Sequence, residues 1–307
     1  MKHIRIALWL LIATLASPLQ AETLLTVHKV ADNAFAIVGD LGQRNPQNMA
    51  NNASFGLVVT NAGAVLIDAG GSRAGAVALH KAISTVTDQP VTHVINSGGQ
   101  DHRWLGNGYW KEQGAVVIAS AAAVEDQQER ASMQLTVLSN LLGNDVLAGT
   151  EPVYADVTFD EGYELTVGDT VLQLTHLNGA HTPGDAFVWH ADSKTMFTGD
   201  IVYMERILGV NDVSNTLAWV ETFEAFAAFN PDHVVPGHGH ATDLAGATKD
   251  TYDYLTNLRT QMAIFIEDGG EITDSVHVDQ SAFSYLANFE GLAKRNAQAA
   301  FGQMEWE

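Results

Sequence analysis

The chain has 307 residues, 46% of them hydrophobic, a formal net charge of −21 and no cysteine. That length suits one large α/β domain or two small ones, with a core able to hold the fold without disulfides. The acidity repels phosphate backbones and anionic membrane surfaces, which argues against nucleic acid as a partner and otherwise serves solubility. The absence of Cys removes thiolate nucleophiles and confines any metal site to His, Asp and Glu.

Lys2 and Arg5 precede a short apolar run, 7–16, broken only by Thr14, and Pro18-Leu19-Gln20-Ala21 offers a small residue for cleavage. Residues 1–21 are therefore expected to be a signal peptide that sends the chain to the periplasm or outside the cell. The run is too short to span a membrane, and no later stretch is apolar enough. An uncleaved N-terminal anchor is the alternative. From residue 22 to 307 no Pro- or Gly-rich linker interrupts the pattern, so one domain is expected.

Strands are expected at 24–30, 34–38, 55–60 and 64–67, with a turn at Asn61-Ala62-Gly63. The intervening segment 42–53 is rich in Asn, Gln and Pro, a surface loop able to overhang a site. Ala76, Leu79, Ile83 and Val86 give 73–86 helical spacing. Residues 91–95 and 116–119 read as strands, and 121–142 as a helix. The second half repeats the style. Strands fall at 171–177, 186–190, 195–197 and 233–235, and a helix at 215–229 can be capped by Asn215 or Ser214. A long helix runs from Thr242 or Asp243 to about 268, where Gly269-Gly270 ends it. A last helical tail, 281–304, places Phe283, Leu286, Phe289, Leu292 and Phe301 on one stripe. Two strand-rich halves, each followed by helices, suggest two sheets packed together with helices outside.

Asn96-Ser97-Gly98-Gly99-Gln100-Asp101-His102 reads as a two-metal loop, His-x-His-x-Asp-His, with half its ligands replaced. Ser97 and Gly99 stand where the first two histidines would be, while Asp101 and His102 remain. Three further residues sit in strand-end or Gly-containing turns: His181 in Gly179-Ala180-His181-Thr182-Pro183-Gly184-Asp185, Asp200 after Phe197-Thr198-Gly199, and His238 between Gly237 and Gly239. Loops at strand ends can gather such distant residues at one rim of a sheet. Asp101, His102, Asp200 and His238 make an N2O2 donor set that zinc accepts, and iron or manganese takes the same donors. A zinc ion lowers the pKa of a bound water to about 7, the chemistry of hydrolysis without a protein nucleophile. Ser97 lacks a Gly-x-Ser-x-Gly elbow, which argues against a Ser-His-Asp triad. Asp68 fits a structural role at a strand end, and His240 a surface or supporting one. His93, His176, His190 and His233 lie on or beside strands as packed residues. Arg103 and Trp104 follow His102 and could wall a pocket. No other Lys or Arg can be placed near the site from the sequence.

Taken together, these motifs resemble the metallo-β-lactamase superfamily over most of the chain. Val65-Leu66-Ile67-Asp68-Ala69-Gly70, Thr92-His93-Val94-Ile95-Asn96, Gly106-Asn107 and Gly114-Ala115-Val116-Val117-Ile118 follow its order, as do His181-Thr182-Pro183-Gly184-Asp185, Phe197-Thr198-Gly199-Asp200 and Pro236-Gly237-His238-Gly239. Each is weak alone; their joint order and spacing are specific. The tail 289–305, with Arg295-Asn296 and Met304-Glu305, is similar to the exported branch linked to quinoprotein relay and sulfur oxidation. The resemblance implies an αββα sandwich. It also implies a second metal site of Asp101, His102, Asp200 and His238, all present. The first site would use the two loop histidines, His181 and a bridging Asp200, and here only His181 and Asp200 remain.

Two functions are expected from this. One is an exported hydrolase with a single zinc on the intact site, cleaving an ester, thioester, lactone or lactam in a small-molecule substrate. Asp101 would then double as ligand and proton acceptor. His181 would be a stranded first-site ligand, an added ligand or a proton carrier. The other is a non-catalytic protein of the same fold that binds a metal or small ligand for a periplasmic redox system.

Overall fold

The computed structural model describes residues 25–307; the expected signal segment, 1–21, lies outside them. A seven-stranded sheet runs in sequence order: β1 (Thr26–Lys29), β2 (Ala34–Val38), β3 (Ser54–Thr60), β4 (Gly63–Ile67), β5 (Val91–Asn96), β6 (Val116–Ser120) and β7 (Val157–Phe159). Its first four strands pair antiparallel, and β4 to β7 are parallel. A five-stranded sheet holds β8 (Gly162–Val167), β9 (Thr170–His176), β10 (Ala186–His190), β11 (Thr195–Phe197) and β12 (His233–Val235), in the order β12-β11-β10-β9-β8, with β11 and β12 parallel.

Alternation along each strand builds three apolar layers. In β4, Val65 and Ile67 pack with Leu174, Val188, Phe197 and Val235 between the two sheets. Leu66, on the opposite face of β4, packs with Ala76, Leu79 and Ile83 of α1 (Arg73–Ile83) and with Trp110 of α3 (Asn107–Glu112). The far face of the second sheet carries Phe187, Trp189, Met196 and Val234. They are covered by Trp219 and Phe223 of α5 (Thr216–Ala227), Leu255 and Leu258 of α7 (Asp253–Glu267), and Ala297 and Phe301 of α8 (Phe289–Met304). Each such fully buried Leu or Phe contributes about 1.5–3 kcal/mol of transfer free energy. The result is the αββα sandwich expected from the sequence. Two more helices complete the order: the single turn α2 (Asp101–Trp104) and α4 (Ala121–Leu142). Then α6 (Leu244–Ala247) joins α7 through one π turn, Thr248–Tyr252. Among the described residues no helix is long and apolar enough to cross a membrane.

The tail departs from the expected continuous helix over 281–304. Only a 3-10 turn at Ser281–Phe283 and then α8 are helical. Between them Asn288 turns at φ 64°, Ala287 bridges to Arg206, and Ile207 N–H donates to Ala287 O at 2.9 Å. Both backbone groups of Ala287 thus serve the loop after β11 instead of a helix. Phe283, Leu286 and Phe301 are still buried as the stripe requires.

Candidate metal centre

Four strand ends deliver the site. β4 leads to Asp68, β5 leads through Ser97–Gln100 into α2, β11 leads to Asp200, and β12 to His238. β5 belongs to the first sheet and β11 to the second, and the packing of the two sheets brings residues 98 positions apart into contact.

His102, Asp200 and His238 are all buried, and one ligand atom from each lies within 4.8 Å of the others. His102 Nε2 is 3.2 Å from Asp200 Oδ2, and His238 Nε2 is 3.1 Å from Asp200 Oδ1. Tyr203 stacks on the His238 ring at 4.4 Å between centroids. Burial, followed by the charge of Arg206, holds the His238 imidazole well below its usual pKa, so it is neutral and keeps a lone pair for a cation. Two imidazoles and one carboxylate, with space beside them, form the three-ligand pattern of an open metal site.

Beneath this group lies Arg103, fully buried, with all five N–H donors used. Nε and Nη2 grip Asp200 at 3.1 and 2.7 Å, Nη1 reaches Asp68 at 2.8 Å, and the carbonyls of Ser54 and Gly237 take the rest at 3.0 and 2.9 Å. Burial works against ionised Asp200, but Arg103 and His102 outweigh it and keep the carboxyl well below the usual range. Arg103 is therefore no pocket wall, as its place in the sequence suggested. Neither is Trp104, which packs with Leu138 and donates to Gln134 at 3.0 Å.

Asp101 stands outside the three-residue group. Its Oδ1 accepts a hydrogen bond from Arg44 Nη2 and another from the His102 backbone at 2.7 Å. Burial opposes its ionisation, and Arg44 with His102 overrides that, holding the carboxyl far below its ordinary value. The same Arg44 Nη2 sits 3.0 Å from His102 Nδ1. Asp101 Oδ1 lies 3.1 Å from the same nitrogen, so Asp101, Arg44 and His102 form one cluster. Arg44 comes from the 42–53 loop, which does overhang the site.

His181 also lies apart. Its Nδ1–H donates to Gly209 O at 2.8 Å, leaving the Nε2 lone pair toward the cavity with Asn211 Nδ2 at 3.5 Å. Metal-bound histidines commonly make this carbonyl bond. Burial brings its pKa down to about 4, so the ring is neutral at pH 7. His240 is exposed and paired with Glu205 at 2.9 Å, away from the centre.

The donors border a cavity of about 160 Å³. Its walls include Arg44, Tyr203 and Arg206, none of which spacing in the sequence marked as functional. The available signals were thin: Arg44 is the lone cation of the overhanging loop, and Tyr203 and Arg206 follow Asp200 within six residues.

Residues 49–238 match the model of the metallo-beta-lactamase superfamily. The chain belongs to this superfamily. Among solved structures it is similar to a metallo-beta-lactamase from Pontibacter korlensis, at 21% identity over 73% of this chain and 95% of that one, with a TM-score of 0.60. DIM-1 metallo-beta-lactamase shares 18% over 73% and 94%, at 0.56, and TMB-1 17% over the same shares, also at 0.56. These likenesses are of fold.

The two loop positions where the resemblance implies histidines, Ser97 and Gly99, are closed by packing. Ser97 N–H and Oγ donate to the two oxygens of Asp68 at 2.7 and 2.8 Å, so the Ser97 hydroxyl proton is committed to Asp68. A Cβ at Gly99 would run into Asp126 Oδ2, which Arg130 holds in place, and Gln134 Nε2 closes on Gly99 O at 2.8 Å. A side chain on Gly199 would strike Ser97 Oγ, and its φ of 50° favours glycine. Asp68, left-handed at φ 74°, is a structural acceptor, as its strand-end place implied.

Proposed function

We propose that the chain is an exported hydrolase of this superfamily that works with one divalent ion, zinc first, held by His102, Asp200 and His238. The closeness of those three ligand atoms at the edge of a cavity is the observation that carries the reading. Iron or manganese suits the same donors. Such an ion supplies Lewis acidity toward a carbonyl and lowers the pKa of water. The substrate class is an ester, thioester, lactone or lactam small enough for the cavity.

The chain's own part is positioning. Arg103 fixes Asp200 from below, so the carboxylate keeps its angle toward both imidazoles. The Tyr203 hydroxyl has no partner among the described residues and donates to an oxygen that gains charge. His181 Nε2 faces the cavity with a lone pair and accepts a proton in transit or a further bond to the ion. Asp101 is available as a fourth ligand only after Arg44 lets go.

A second reading is a non-catalytic binding protein. It draws on Arg44 and Arg103, whose guanidiniums already neutralise Asp101 and Asp200. One measurement on protein purified from its own cells separates the two. Native mass spectrometry is expected to show about one metal per chain and a mass lacking residues 1–21. Hydrolysis of a generic ester or lactone should then be chelator-sensitive and lost in His102→Ala and His238→Ala. Activity untouched by chelator removes the metal from the proposal. A bound metal with no turnover on any carbonyl class selects the binding protein, and an intact Met1 removes cleavage of residues 1–21 in favour of an uncleaved anchor.

A further inference from the structure

The cavity beside the metal centre is cationic in an acidic protein. The sequence holds 36 Asp and Glu against 15 Lys and Arg, yet the cavity wall includes Arg44 and Arg206 and no carboxylate. Three arginines stand around the centre, Arg103 and Arg206 buried and Arg44 half-buried, and two are paired: Arg44 with Asp101, and Arg103 with both Asp68 and Asp200. Arg206, only 5% exposed, has no carboxylate within 4.0 Å among the described residues. Its one hydrogen bond runs from Nη1 to Gly42 O at 3.1 Å, and its Nε is buried without a partner. A buried guanidinium lacking its anion is a costly arrangement, retained where something else supplies the charge.

Unused donors surround the same space. Arg44 Nη1, Arg206 Nη2 and the Tyr203 hydroxyl each lack a hydrogen-bond partner among the described residues, and all three side chains line the cavity. Tyr203 is itself 3% exposed. Planar, forked donors from two guanidiniums with a phenol beside them match the two oxygens and four lone-pair directions of a carboxylate.

We propose that Arg206, Arg44 and Tyr203 form a carboxylate-binding subsite, so that the natural ligand of the cavity is a small organic acid or a substrate that carries one. The subsite requires no metal and stands whether or not the chain turns over. It narrows the proposed substrates to acidic ones, with the carboxylate held on the Arg206 side and the rest of the molecule beside His102 and His238.

The test uses the full mature chain after chelator treatment, so that it is independent of hydrolysis. Butyrate is the probe and butyramide its uncharged counterpart, both followed by calorimetric titration and thermal melting. Butyrate should bind and raise the Tm while butyramide does neither. Arg206→Met should lower butyrate affinity at least about tenfold, the loss expected for one charge-assisted pair, and should melt no lower than the wild type without ligand. Arg206→Lys keeps charge but loses the fork, and should bind at an intermediate level. If Arg206→Met does not fold, the Lys variant and the butyrate–butyramide contrast still decide. Equal response to butyrate and butyramide overturns the subsite, as does wild-type affinity in either Arg206 variant.

Discussion

Arg103 and Arg206 are both buried guanidiniums beside the same three ligands, and they differ in how they are satisfied. Arg103 spends every donor on two carboxylates and two carbonyls; Arg206 spends one on a carbonyl and meets no carboxylate. The first sits on the closed side of the centre, with Asp68, Ser97 and Gly99, where every polar group points inward. The second belongs to the open side, with Arg44, His181 and Tyr203, where donors and lone pairs face a cavity. A fully consumed charge is scaffolding; an unconsumed one is a receptor. The same chemical group serves either end depending on whether the fold supplies its counter-charge.

Removing the closed-side cation is the largest way to break this contrast. Arg103→Met leaves Asp68 and Asp200 buried without their partner, and urea unfolding should show a loss of about 3–5 kcal/mol. A loss under 1 kcal/mol would mean that Arg103 does not organise the centre.

On the open side, the neutral ring of His181 gives a pH signature in metal-free protein. Its folded pKa of about 4 lies below the unfolded value of 6.5. Between those values the unfolded chain binds a proton that the folded chain refuses, so stability rises as pH rises from 4 to 6.5 and falls on acidification. The full effect is up to about 3 kcal/mol. His181→Gln should flatten that part of the stability–pH curve, and an unchanged slope would place the ring in contact with water.

The smallest effect concerns the boundary between the two sides, where Arg44 occupies Asp101. Arg44→Gln frees a fourth ligand and removes a positive charge, so zinc should bind about tenfold tighter in a chelator competition, near 1.4 kcal/mol. Equal or weaker zinc binding would show that Asp101 does not compete for the ion.

The sandwich was legible because its strands carry strong local patterns. β2, β10, β11 and β12 stand where the apolar runs place them, and α4 where helical residues cluster. The short edge strand β7, the half-exposed β8 and the single-turn α2 lack such patterns and depend on neighbours for their pairing. The tail misled because an apolar stripe at helical spacing suits a buried 3-10 turn and bridge as well as a helix. At the centre, His102, Asp200 and His238 were visible through motif order. The engagement of Asp101 by Arg44 was not, because an ion pair across 57 positions leaves no trace in spacing. Arg206 was invisible for a related reason: what marks it is the absence of a partner, which only the folded chain reveals.

The bridge between Arg206 and Ala287 has a further consequence. The superfamily match ends at His238, yet the wall of the cavity is completed from beyond it by Leu292. The tail also steadies the loop that carries Arg206: Asn296 donates to Leu208 O at 2.8 Å and accepts from Val210 N at 2.9 Å. The proposed subsite thus leans on a stretch of the polypeptide beyond the one that presents the three ligands. Changes after residue 280 can reshape what enters without disturbing the strand ends that present the three ligands, which leaves ligand choice free to diversify around an unchanged candidate metal centre.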